Sequence, residues 1–186
     1  MEQSANKNVL VVVDMQNDFI TGTLGTSEAQ AIVDSVVKHI LSFNGLILYT
    51  LDTHTEKYLE TQEGRKLPVQ HCIAGTDGWA PAPAVWKALT DKNVADNQHM
   101  IAKDTFGGVS LPMRIHEMLD GAEPDEITLV GLCTDICVIS NALLLKAFYP
   151  EAQITVDAAA CAGATPDGHK TALAAMKPCQ IEIINE

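Results

Sequence analysis

Cys137 sits where a thiol can act as a nucleophile. Residues 127–137 read Ile-Thr-Leu-Val-Gly-Leu-Cys-Thr-Asp-Ile-Cys. The apolar run breaks at Gly131, a helical pattern starts at Thr134–Asp135, and Cys137 falls in its first turn. Backbone N–H groups there have no intrahelical partner and the helix dipole favours negative charge. A thiol so placed is expected to have its thiolate, the reactive form, stabilised. Asp14 follows one apolar run, Asp52 a second and Lys103 a third, so each ends a candidate strand with an ionisable side chain. Singly, each has an ordinary explanation: an Asp in a turn, a solvated Lys, a Cys packed as a small hydrophobe. Together they would line one edge of a sheet, where open α/β sheets bind ligands.

Asp52, His54 and His71 form a second constellation. Asp-x-His at a strand end puts both side chains near one point, and a long loop can return His71 to it. One carboxylate with two imidazoles suits a divalent zinc, iron or manganese ion that keeps positions open for water or substrate. Three hydrogen-bonded loop residues with no metal would leave the same sequence trace. His39, His99, His116 and His169 fit no cluster and read as surface or structural residues.

The elements that must position these residues alternate. Asn8–Asp14 reads as a strand buried on both faces, Ser27–Phe43 as a helix capped by Ser27 and Leu46–Leu51 as a second strand. Thr53–Pro83 is a long irregular segment, and segments of that length in a domain are commonly functional or disordered. Val85–Thr90 reads as a short helix, Met100–Ala102 as a strand and Pro112–Leu119 as a helix with proline in its first turn. Strands at Ile127–Leu132, Ile154–Ala158 and Gln180–Ile184 alternate with helices at Asp135–Phe148 and Pro166–Met176. The alternation predicts an α/β protein with a parallel sheet covered by helices on both faces.

At 186 residues the chain predicts one domain spanning residues 1–186. An apolar content of 47% supports a packed core. A net charge of −12 without a basic run argues against nucleic acid or an anionic membrane as partner. No apolar run approaches membrane-spanning length, and Met1–Lys7 is a polar lead without a signal-peptide core. Five scattered cysteines (Cys72, Cys133, Cys137, Cys161, Cys179) read as reduced thiols of a cytoplasmic protein. Cys161 and Cys179 are expected to be buried.

Asp14-Met-Gln-Asn-Asp18-Phe19, Asp52-Thr-His54, His71-Cys-Ile-Ala-Gly-Thr76, Lys103 and Gly131-Leu-Cys133-Thr-Asp135-Ile-Cys137-Val occur in this order. They resemble the isochorismatase-like cysteine hydrolases, and most closely the nicotinamidase branch, over about Val9 to Ile184. The resemblance implies a three-layer α/β/α sandwich with a six-stranded parallel sheet of order 3-2-1-4-5-6. It implies an Asp14-Lys103-Cys137 triad, an oxyanion hole from the N–H groups of Cys133 and Cys137, and a cis peptide before Cys133. It also implies metal binding by Asp52, His54 and His71, with Glu63 as a further ligand, and a homo-oligomer.

The residue types suit amide hydrolysis on chemical grounds as well. Cys137 would attack the carbonyl carbon. Asp14 would move the thiol proton to the leaving amine and then activate water, and Lys103 would supply positive charge. The resemblance implies nicotinamide as the substrate, hydrolysed to nicotinate and ammonia in a step of NAD salvage, with Phe19 and Trp79 as ring contacts. Two departures touch the pocket. Pro68, preceded by Leu67, stands where nicotinamidases usually carry an aromatic residue, and only Asp-Thr-Phe106-Gly-Gly follows Lys103 where an aromatic-rich insertion is common. Hydrolysis of another small amide or carbamoyl compound is therefore the first alternative, and a non-enzymatic metal- or thiol-binding protein the second. Cys137 argues against cleavage of isochorismate itself, whose enzymes carry Gly at that position.

Overall fold

The apolar run at the start of the chain forms β1 (Asn8–Val13), the strand on which the molecule is organised. The computed structural model describes residues 6–186, so Met1–Ala5 of the polar lead lie outside the described residues. β1 pairs on one side with β2 (Leu46–Asp52) and on the other with β4 (Glu126–Leu132). β3 (Met100–Lys103), β5 (Gln153–Ala162) and β6 (Glu182–Ile184) complete a six-stranded parallel sheet of order β3-β2-β1-β4-β5-β6. The chain reverses its direction of growth across the sheet between β1 and β4, which opens a crevice at their carboxyl ends.

Both faces of β1 are covered. Val9, Val11 and Val13 enter one apolar cluster with Leu111, Ile115, Val138, Leu145 and Leu173. Leu10 and Val12 enter the other with Val36, Ile40, Val85 and Leu89. Side chains that alternate in direction yet are all apolar are the mark of a strand buried on both sides. The covering helices are α1 (Asn17–Ile20), α2 (Ser27–Ala31), α3 (Val33–Ser42), α4 (Gln62–Lys66), α5 (Pro83–Asp91), α6 (Leu111–Met118), α7 (Ile139–Phe148) and α8 (Pro166–Met176). Among the described residues, no helix is long and apolar enough to cross a membrane.

The sequence pattern misplaces several boundaries. The single helix expected over Ser27–Phe43 is two, joined at Ile32, and Thr26 rather than Ser27 caps the first by accepting the N–H of Ala29. The long segment after β2 is not featureless. A 3₁₀ turn at Tyr58–Glu60 leads into α4, where Thr61 accepts the N–H of Gly64. A Cβ on Gly64 would lie 2.1 Å from the Tyr58 carbonyl oxygen, so only glycine lets α4 begin there. β5 runs to Ala162, past the expected Ala158. Cys161 is buried as expected, whereas Cys179 is exposed because it lies in a 3₁₀ turn after α8 rather than against the sheet.

Gly131 decides how closely β1 and β4 approach. Its φ is 117°, and a Cβ there would sit 2.1 Å from the carbonyl oxygen of Val13. Gly131→Ala is expected to cost about 2–4 kcal/mol, from left-handed backbone strain and overpacking together. Urea denaturation measures the loss, and a variant as stable as wild type would contradict the close approach.

Candidate active site

Three strand tips converge in the crevice. Asp14 directly follows β1, Lys103 ends β3, and Cys137 lies in the turn after β4. Asp14 adopts a φ of 47°, held by its N–H to the Thr50 carbonyl (3.2 Å) and by the Thr50 hydroxyl to Asp14 Oδ1 (2.6 Å). Lys103 Nζ lies 2.7 Å from Asp14 Oδ2, 3.1 Å from Asp52 Oδ1 and 3.4 Å from Cys137 Sγ. All four side chains are buried. The sequence-predicted carboxylate, ammonium and thiol therefore meet at one point, and Asp52 joins them.

Burial pushes the Asp14 carboxyl up, and although Lys103 opposes this the net shift stays upward, helped by Asp52. Burial by itself would lower the Lys103 ammonium, but Asp14, Cys137 and Asp52 surround it and hold it well above its usual range. Lys103 is thus a permanent cation. The Cys137 thiol is pushed well above its ordinary value by burial and by Asp14, which Lys103 only partly offsets. Desolvation and the neighbouring carboxylates thus work against the thiolate expected from the helix start, with Lys103 opposing them.

The turn that carries Cys137 is not α-helical from the start. The peptide between Leu132 and Cys133 is cis. Residues Thr134–Val138 form a π-helical turn before α7. Within it the N–H groups of Ile136 and Val138 both reach the Cys133 carbonyl, at 3.1 and 3.0 Å. In an α-helix that acceptor would take the N–H of Cys137. The π turn therefore gives the Cys133 carbonyl to Val138 in place of Cys137. The start of α8 clamps the turn from outside. Asp135 Oδ1 accepts the Ala164 N–H (2.9 Å), and Thr134 Oγ1 lies 2.8 Å from His169 Nδ1. His169, read from sequence as a surface or structural residue, has a structural place here.

Asp52, His54 and His71 also come together. One ligand atom from each lies within 4.8 Å of the others. Asp52 Oδ2 is 2.9 Å from His54 Nε2 and 3.5 Å from His71 Nε2, while Glu63 Oε1 is 3.6 Å from His54 Nε2. His71 Nδ1 donates to the Val69 carbonyl (2.8 Å), which fixes its proton there and leaves Nε2 to face the cluster. His54 Nε2 is buried without an aligned hydrogen-bond partner among the described residues. An orphaned ring nitrogen beside a carboxylate and a second imidazole is a donor set that fits a divalent cation. Burial raises the Asp52 carboxyl, but His54, His71 and Lys103 outweigh it and hold it well below the carboxylate range.

Two positioning residues escaped the sequence reading, although both lie in the Asp14–Phe19 block. Gln16 is fully buried; its Oε1 accepts the Asp52 N–H and its Nε2 donates to the carbonyls of Asp52 and Trp79. It clips the end of β2 to the end of β1. Asp18 Oδ2 accepts the N–H of Cys72 (2.7 Å), whose φ is 47°, and so holds the turn that presents His71. A polar residue inside a short motif is a signal, but its partner cannot be read without the fold.

The pit above Cys137 has a volume of about 280 Å³. Phe19 lines it, with its ring 5.5 Å from that of His71, and Leu67, Phe106, Cys133 and Ile136 face it too. Burial pushes the Cys133 thiol up to about 12. Trp79, expected as a substrate contact, does not line the pit. Its Nε1 donates to Thr53 Oγ1 (2.9 Å) and its ring packs against the core, so it braces the loop instead.

The Isochorismatase domain family matches residues 8–186. An isochorismatase family protein of Bacillus subtilis, PncA, is 27% identical over 176 residues, which cover 90% of this chain and 92% of that protein. The crystal structure of the nicotinamidase PncA from Bacillus subtilis superposes with a TM-score of 0.80 at 25% identity, covering 96% of this chain and 99% of that one. The pyrazinamidase of Pyrococcus horikoshii, solved in complex with zinc, superposes with a TM-score of 0.76 at 26% identity, covering 97% and 99%. With the family matched over nearly the whole chain and these structures superposing along its length, the chain belongs to the isochorismatase family, on the branch that holds these nicotinamidases and pyrazinamidases.

Proposed function

We propose that the protein is a cysteine amidohydrolase that converts nicotinamide to nicotinate and ammonia. The observation that carries this reading is the convergence of Asp14, Lys103 and Cys137 around one ammonium. Asp14 Oδ2 lies close to Lys103 Nζ without hydrogen-bond alignment, which leaves a lone pair for the thiol proton. Asp14 takes that proton as Cys137 Sγ attacks the amide carbon. The N–H groups of Cys133 and Cys137 receive the negative oxygen. Asp14 then protonates the leaving ammonia, and a thioester remains on Cys137. Water attacks it, again with Asp14 as base, and the carboxylic acid leaves. Lys103 stays charged throughout and keeps Asp14 ionised within a buried site.

Asp52, His54 and His71, with Glu63 beside them, would hold the divalent ion. When bound, it supplies an open coordination position for a lone pair such as a pyridine nitrogen. Removal of a ligand is expected to weaken metal binding by more than the ~10–100-fold that loss of an outer-shell partner causes. Titration of chelator-treated His71→Ala with zinc measures this, and wild-type affinity in the variant would exclude His71 as a ligand. The reading as a whole is tested by ammonia release from nicotinamide and a panel of small amides. Leu67 in the pit, with no aromatic at the adjacent position, specifically favours the second reading, an amide other than nicotinamide at the same triad. Turnover of another amide with none of nicotinamide would select it.

A further inference from the structure

Phe106 belongs to two cavities. It lines the pit over Cys137 and also a second chamber of about 700 Å³ on its outer side. Glu63, Leu67 and Ile136 are likewise shared by both. One layer of side chains therefore divides the pit from the chamber, which continues past Thr55 and Thr61 to Lys66. Of these four side chains Phe106 alone carries a ring, and it is 47% exposed, so packing of the ring alone does not fix it.

What holds its segment is a buried amide. Asn141 is fully buried in α7, within the run Ile-Ser-Asn-Ala-Leu-Leu-Leu. Asparagine is a poor residue for a helix interior, and a local choice at odds with its element marks a position kept for another purpose. Its Oδ1 accepts the Gly108 N–H (2.8 Å), while its Nδ2 donates to the Phe106 carbonyl (3.3 Å) and to the Cys137 carbonyl (2.8 Å). One side chain thus ties the backbone of the nucleophile to both flanks of Gly107, in the segment that presents the aromatic ring.

We propose that Phe106 is the specificity-determining wall of the pit, that Asn141 is the positioning residue holding it, and that the outer chamber receives the far end of aromatic amides longer than one ring when that wall yields. The substrate part of this inference rests on the amidohydrolase reading; the wall itself does not. Phe106→Ala removes the ring. Asn141→Thr keeps a hydroxyl able to bond the carbonyl four residues earlier, that of Cys137, but loses both bonds to the loop. Gly108→Pro deletes the loop donor and puts a ring carbon where the N–H met Asn141 Oδ1, so it breaks the same tether from the loop side with the α7 sequence unchanged.

Two ratios are measured. One is kcat/KM for 5-phenylnicotinamide over nicotinamide. The other is the rate of Cys137 alkylation by N-(biphenyl-4-yl)iodoacetamide over that by iodoacetamide, followed by peptide mass. Phe106→Ala is expected to move both ratios toward the longer compound by about tenfold, the scale on which pocket shape discriminates. Asn141→Thr and Gly108→Pro are expected to move them the same way, and the Phe106→Ala/Asn141→Thr double variant no further than Phe106→Ala, because both act through one wall. Unshifted ratios in Phe106→Ala overturn the wall. A shift there with none in Asn141→Thr or Gly108→Pro, or additive shifts in the double variant, overturns the positioning role. Shifted alkylation ratios without ammonia release from any amide sustain the wall and sink the amidohydrolase reading; ammonia release with unshifted ratios does the reverse.

Discussion

Cys137→Ala is expected to release ammonia from the substrate amide at least ~10⁴-fold more slowly than wild type, because members of a catalytic unit cannot stand in for a missing nucleophile. The unfolding midpoint should stay near that of the wild type, since the substitution deletes one buried sulfur and leaves its carboxylates paired with Lys103. Cys133→Ala is the contrasting variant and should retain most turnover. In the proposed mechanism Cys133 contributes its backbone N–H, which alanine keeps, and its thiol is pushed up to about 12, so it is almost wholly protonated at neutral pH. Ammonia assays with trapping of the acyl-enzyme by mass spectrometry decide the matter. Equal turnover in Cys137→Ala and wild type would remove the mechanism.

Lys103→Met is expected to lose both activity and stability. The ammonium is the shared counter-charge of Asp14 and Asp52, at 2.7 and 3.1 Å. Removing one partner of a buried ion pair costs about 3–5 kcal/mol, because the remaining charge is left uncompensated. In the variant, burial and the neighbouring Asp52 charge raise the Asp14 carboxyl further above its unfolded value with no cation beside it to oppose them, while His54 and His71 still hold Asp52 low. A carboxyl raised in the folded state favours folding while it is protonated and loses that contribution as pH rises through its folded value. The stability deficit should therefore grow from mildly acidic to neutral pH. Urea titrations of chelator-treated protein across that range test the sign, and a deficit independent of pH would show that Lys103 serves packing rather than charge. Activity should fall by about 10²–10⁴-fold, the usual worth of general acid–base help, since Asp14 would no longer be held ionised.

The strand tips were visible in the sequence because of local pattern. Each of Asp14, Asp52 and Lys103 interrupts an apolar run, and buried strands are the runs that sequence shows most plainly. Helix boundaries were less visible, because Ile32 continues the apolar stripe while its backbone closes one helix and opens the next. Trp79 is ambiguous in the sequence because an aromatic residue in a loop near a site has the same appearance whether it faces substrate or, as here, bonds Thr53. Gln16 and Asn141 carry no role that the sequence displays, because a buried amide matters through its partners, and those lie 36 and 33 residues away at Asp52 and Gly108.

Local chemistry written in the chain thus settled the six strands, the ionisable residues at their tips and the strand–helix alternation that makes the sheet parallel, but not every helix or its ends. Tertiary structure decided the rest: that Lys103 lies between two carboxylates, that burial and Asp14 push the Cys137 thiol up, that a π turn gives the Cys133 carbonyl to Val138 in place of Cys137, and that Phe106 lines two cavities. Those properties arise from desolvation and from charges brought within a few ångströms across the sheet, and neither exists until the strands are assembled in their order.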